Sequence, residues 1–176
     1  MTKAIFYMSR RFNKSTPEDF GLIKSEIPDQ FLLPLDKSLW IRRELYDFGQ
    51  GKENGFCRLP IPNFNGLIDL VLKSELVDNR YGAAAVLLDD YPNELLDMSQ
   101  RLFHDKSDLS QYKEFFRILH LDEPINRSEV IGKNIEEVNS DFQKWCEVAS
   151  NVQKLLEPTK PEKFAALLNF KRNKTR

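Results

Sequence analysis

Cysteine and histidine are scarce in this chain, and their scarcity removes whole classes of chemistry. Among 176 residues there are only Cys57, Cys146, His104 and His120. Two isolated thiols make neither a disulfide framework nor a paired metal-ligand motif. A Cys2His2 zinc site drawn from all four would lack the short ligand spacings such sites use. Glycine is equally sparse at seven, three of them in Gly49 to Gly55. No Gly-Lys-Ser/Thr follows that run, which excludes a phosphate-binding P-loop. Nucleophile-elbow, zinc-protease, dinucleotide and calcium-loop motifs are likewise missing. No apolar run approaches the roughly 20 residues that span a bilayer. The short stretch Ala4 to Met8 meets Arg10 and Arg11 at once and lacks the longer apolar core of a signal peptide. The expected address is the cytoplasm, with no membrane partner.

What the chain has in quantity is apolar and charged surface, 41% and 30% of residues. That is the composition of a folded globular protein, and the length suits one domain. We expect that domain over residues 1–170, mainly helical because glycine is scarce, with a basic disordered tail at 171–176. The net charge of −1 conceals an uneven distribution. Lys3, Arg10, Arg11 and Lys14 stand without an acid in the first fourteen residues. Six cations from Lys160 to Arg176 face only Glu157 and Glu162. The middle is therefore acidic, chiefly from Asp69 to Glu123.

The stretch from Gly66 to Phe103 organises the expectation. Leu67, Leu70 and Val71, with Ile68 and Leu72, leave only a narrow polar stripe at Asp69 and Lys73, so the first helix should be largely buried. Asp78 is placed to cap a second helix, on which Tyr81, Ala84, Ala85 and Leu88 share a face. The small run Gly82 to Ala85 would let another backbone come close. Pro92 suits the first turn of a third helix with Leu95, Met98 and Leu102 inward. Asp78-Asn79-Arg80-Tyr81-Gly82-Ala83-Ala84, with Leu87 following, resembles the second half of a HEAT-like helical repeat. It matches an acidic turn residue, an Arg and paired small residues before a Leu. The resemblance covers about residues 66–103 without a second copy. It implies a mainly α, irregular multi-helix domain with a HEAT-like centre and a long C-terminal helix.

Elsewhere, Ala4 to Met8 fits a short strand or the first turn of a helix. Thr16-Pro17-Glu18-Asp19 reads as a helix start, interrupted at Gly21 and ended by Pro28. Asp36 or Ser38 should begin a helix through Trp40, Ile41 and Leu45 to Phe48, carrying the tandem Arg42-Arg43, which could grip an anion. Gly49 to Gly55 reads as a surface turn between helical blocks, and Arg58 to Pro62 as an extended connector. Tyr112, Phe115, Phe116 and Leu119 give the Leu109–Leu121 helix an aromatic face for packing. Ile131, Ile135, Val138, Phe142, Trp145, Ala149, Val152 and Leu156 alternate spacings of four and three, the seam of one long helix from Ser128 to Glu157. A last helix is expected over Glu162 to Phe170.

No constellation declares a reaction. His120, Asp122 and Glu123 gather at a helix end but lack a nucleophile or oxyanion donors. Asp89, Asp90 and Asp105 lack the further ligands of a cation cage. This argues against an enzyme, and no cofactor is expected. We expect a protein-protein interaction module, similar to immunity or antitoxin proteins, that meets a basic partner through Asp78, Asp89, Asp90, Glu94 and Asp97. The alternative is a nucleic-acid-associated protein that uses its basic termini.

Overall fold

The computed structural model describes residues 3–8, 16–47, 52–105 and 108–157, and it is not mainly α. Among the described residues, five antiparallel strands come first and five α-helices follow. The strands are β1 (Phe6–Met8), β2 (Ile23–Lys24), β3 (Gln30–Leu33), β4 (Ser38–Asp47) and β5 (Lys52–Arg58). They lie in the order β1-β5-β4-β3-β2, a four-strand meander with the first strand added outside the last. A run of strands followed by a run of helices is the pattern of a segregated α+β domain.

The expected helix from Asp36 or Ser38 to Phe48 is strand β4. Its side chains alternate: Trp40 is buried on one face, while Ile41, Arg43 and Leu45 point to the other. Pairing with both β3 and β5 satisfies its backbone. Asp36 shapes the turn before it, accepting from the Ser38 amide at 3.0 Å as short polar side chains do in turns. The presumed turn between helical blocks is the β4–β5 hairpin, of which residues 48–51 lie outside the described residues. A register shift falls between Glu44 and Tyr46. This bulge leaves Leu45 as the extra residue, folded into the core at 1% exposure. Gly55 makes room for it, because a Cβ there would lie 2.6 Å from Leu45 Cδ1 and from the Tyr7 carbonyl.

Three helices do occupy the expected centre: α1 (Phe64–Lys73), α2 (Val77–Asp90) and α3 (Pro92–His104). A HEAT-like centre is nevertheless the wrong description, because α2 lies on the sheet. The small residues accept strand β1. A Cβ at Gly82 would sit 2.6 Å from Cβ of Phe6 and overlap its ring. One turn earlier, the buried Asn79 accepts from the amides of Ile5 (2.8 Å) and Phe6 (3.1 Å), and donates to the Lys3 carbonyl (3.0 Å). Asp78 accepts from the Met8 amide at 3.1 Å. These two side chains hold backbone groups of the outermost strand that β5 does not pair.

Helices α4 (Lys113–Ile118) and α5 (Ile135–Leu156) complete the helical layer. Helix α5 packs on α3 and α4, with Trp145, Ala149 and Val152 buried. The seam expected from Ser128 is only half used. Ile131 and Ile135 are 83% and 79% exposed, and the helix starts at Asn134, which caps the Glu137 amide. The helix expected at Glu162 to Phe170 and the tail at 171–176 lie outside the described residues.

The opposite face of the sheet carries a second, aromatic core. A 3-10 turn at Pro17–Phe20, capped by Thr16 and ended at Gly21, brings Phe20 and Leu22 against Phe31, Trp40 and Phe56. The Tyr7 ring is stacked between Phe20 (4.7 Å) and Trp40 (4.5 Å). Beside it, Asp36 accepts from Ser38, Lys3 and Arg58. Those partners, Ser38 foremost, hold its carboxyl well below the usual carboxylate range. A depressed folded-state pKa contributes stability above the unfolded value, and that contribution is lost as pH falls through the folded one. Asp36→Asn should therefore flatten the acid limb of stability, below about pH 4. Urea unfolding at a series of pH values tests this, and a slope equal to that of the parent would refute it.

Candidate functional site

A pocket of about 180 Å³ opens between the β4 bulge, helix α2 and the end of α4. Its walls are apolar: Leu45 from the bulge, Ala84, Ala85 and Leu88 from α2, and Ile118 and Leu119 from α4. Polar groups stand among the lining as well: Glu44, Tyr81, Asp89, His120 and Arg127. The small residues that let β1 approach one side of α2 continue as Ala84 and Ala85, which leave this hollow.

The basic side chains of this lining are held by their own surroundings. Arg127 donates to the carbonyls of His120 (2.6 Å) and Ile125 (3.5 Å), and lies 5.8 Å over the Trp145 ring. Burial pushes its pKa down, opposed by Glu123 and Asp122. His120 Nδ1 stands 3.8 Å from Glu123. Trp145 in turn donates to Ser128 at 3.0 Å, and Gln153 donates to the Asp122 carbonyl at 2.8 Å, so α5 pins the segment after α4. His120 occupies a left-handed conformation (φ 50°). It ends α4 with the paired bonds Leu121 N–H to Phe116 and His120 N–H to Arg117. Glycine is the usual residue at such a helix end.

The five carboxylates expected to bind a partner are not one surface. Asp78 is committed to strand β1. Asp90 pairs with Arg43 through both guanidinium nitrogens, a bond that raises the Arg43 pKa. Asp89 lines the pocket, while Glu94 and Asp97 are exposed on α3. Arg42 and Arg43 do not act as a pair, since Arg42 lies 5.7 Å over Phe31 on the other face of the sheet. Cys57 is buried under the helices, where desolvation pushes its thiol up to about 12. Cys146 is on α5, and His104 lies exposed beside Asp105 at the end of α3. Among the described residues, no group of three or more His, Cys, Asp or Glu could hold a metal ion. None of the described helices is long and apolar enough to cross a membrane. The basic termini lie largely outside the described residues.

Glu44, Leu45 and Arg127 were not singled out by the sequence as site residues. Only the bulge brings the first two to the pocket, and Arg127 follows a proline in a segment without periodicity. No family model matches the chain, and no curated protein or solved structure matches it significantly.

Proposed function

We propose that the chain is a non-catalytic, cytoplasmic binding module for a basic protein, of the immunity or antitoxin type. One observation carries this reading. Helix α2 ends on Asp89-Asp90 with no basic residue in its last turn. Carboxylates there face the negative end of the helix dipole, a placement that costs stability. Arg43 offsets it from within the fold, bonded to Asp90 and attracted by Asp89 as well. A cationic surface of a partner would add to that offset, and the exposed Glu94 and Asp97 across the Tyr91 turn extend the same acidic field.

The test compares the parent with the Asp89→Lys, Glu94→Lys, Asp97→Lys triple variant in affinity capture from native lysate at low and high salt. A basic protein held by the parent, released by salt and not recovered by the variant is the expected result. Capture indifferent to both salt and charge reversal would overturn the proposal. So would recovery of nucleic acid in place of protein.

A further inference from the structure

One apolar stripe runs the length of α5, and only half of it is covered. Trp145, Ala149 and Val152 fill its C-terminal half, buried where α5 packs on α3 and α4. Ile131, Ile135 and Phe142 continue the same spacing towards the start of the helix and stay exposed, Phe142 at 42%. Val130, in the turn before them, is exposed as well. Scattered exposed apolar side chains are ordinary, whereas four crowded into residues 130–142 mark a contact surface.

A segment of matching pattern follows α5 in the sequence. Glu157 leaves the helix with an extended backbone (φ −57°, ψ 130°), and Pro158 and Pro161 oppose its continuation. Phe164, Leu167 and Leu168 then recur at the spacing of one apolar helix face. The path from Leu156 to Phe164 reaches about 26 Å when extended, and Phe142 lies about 21 Å back along α5. That leaves room for the roughly 9 Å between the axes of packed helices. Charge agrees with this direction. Lys171, Arg172, Lys174 and Arg176 come after the apolar residues, and Glu129, Glu136 and Glu137 stand exposed around the start of α5.

We infer that residues 162–176 of this same chain occupy the uncovered half of the stripe. They lie antiparallel to α5 as a helix, with Phe164 against Phe142 and with Leu167 and Leu168 against Val138. The alkyl stem of Lys171 crosses Ile135 and carries its charge on towards the acids. The tether makes this contact intramolecular, at millimolar effective concentration, so a small interface is enough to hold it. A second copy lacks that advantage. The cations of the tail are thereby turned to the chain's own acids, whether or not α2 and α3 meet a basic protein.

A nitroxide at position 173 of the full chain tests the contact. Asn173→Cys is combined with Cys146→Ser, and the buried Cys57 stays unlabelled. In the 15N-labelled protein, paramagnetic broadening should be strongest at the amides of Ile131 to Val138 and weak at Leu155 and Leu156. Leu167→Asp with Leu168→Asp should abolish it. The same pair should speed amide exchange from Val138 to Phe142 about tenfold, the worth of burying one large apolar side chain, and leave Trp145 to Val152 unchanged. Phe142→Asp, altering an exposed position on the other side of the contact, should also abolish the broadening. Broadening centred on Leu155 and Leu156, or unchanged by either variant, would overturn the inference. So would equal broadening when spin-labelled chains without 15N are mixed with 15N chains without the nitroxide, which would assign the contact to a second copy.

Discussion

Asn79→Ala should lower the unfolding free energy by about 4 kcal/mol, a large part of the total for a domain of this size. The side chain is 0% exposed and serves three backbone groups at the entry to β1: the amides of Ile5 and Phe6 and the carbonyl of Lys3. Truncation leaves the Phe6 amide unpaired in the core and the Ile5 amide and Lys3 carbonyl unpaired at its part-buried edge. Each orphaned group costs roughly 1–3 kcal/mol, far more than a typical hydrogen bond contributes. Urea unfolding measures the total. Amide exchange gives the local signature, since Ile5 and Phe6 should lose protection well beyond the global change. A loss under about 1 kcal/mol would mean that the strand is held by β5 and by the packing of Phe6 alone.

Trp40→Ala should cost a similar amount, about 4 kcal/mol. Trp40 is fully buried in the aromatic core, stacked on Tyr7, with its indole nitrogen donating to Ser38 at 2.8 Å. Removing it leaves a void between the 3-10 turn and the sheet, and deprives Ser38 of its link to that core. Trp40→Phe retains most of the apolar contact and loses the hydrogen bond, so about 1–2 kcal/mol is expected. Trp145 is the remaining tryptophan in both variants, so tryptophan emission follows α5 during unfolding. If Trp40→Ala cost no more than Trp40→Phe, the aromatic face would not contribute as a core.

The helices of the centre were legible because their pattern is local. Leu67 and Val71, or Leu95 and Ser99, lie one turn apart and fall inward together. The strands were not legible, for a physical reason visible in β4. Its sheet is covered on both faces, so Trp40 and Leu45 are buried on opposite sides and the polar alternation of a half-exposed strand is lost. The bulge then shifts the phase midway. What remains is a cluster that also fits a helical face. A mainly α fold with a HEAT-like centre failed as an expectation for a related reason. Gly82 and its alanine neighbours announce that something approaches closely, and a strand satisfies that as well as a helix does. Charge was the least legible feature of the site. Asp78 and Asp90 look like surface acids in sequence, yet one binds the Met8 backbone amide and the other an arginine 47 positions away. The seam of α5 erred in the other direction, since Ile131 and Ile135 keep the spacing of packed residues without being packed.

The placement of β1 has a consequence for the order of events during synthesis. This strand leaves the ribosome before the other four, yet its ladder partner Cys57 lies some fifty residues behind it, and the side chain that holds its outer backbone lies more than seventy behind. The meander β2-β3-β4-β5 can zip up from neighbouring turns as it emerges, whereas β1 has no complete binding site until α2 has been made. The earliest made of these five strands is thus the last of the sheet to be fixed.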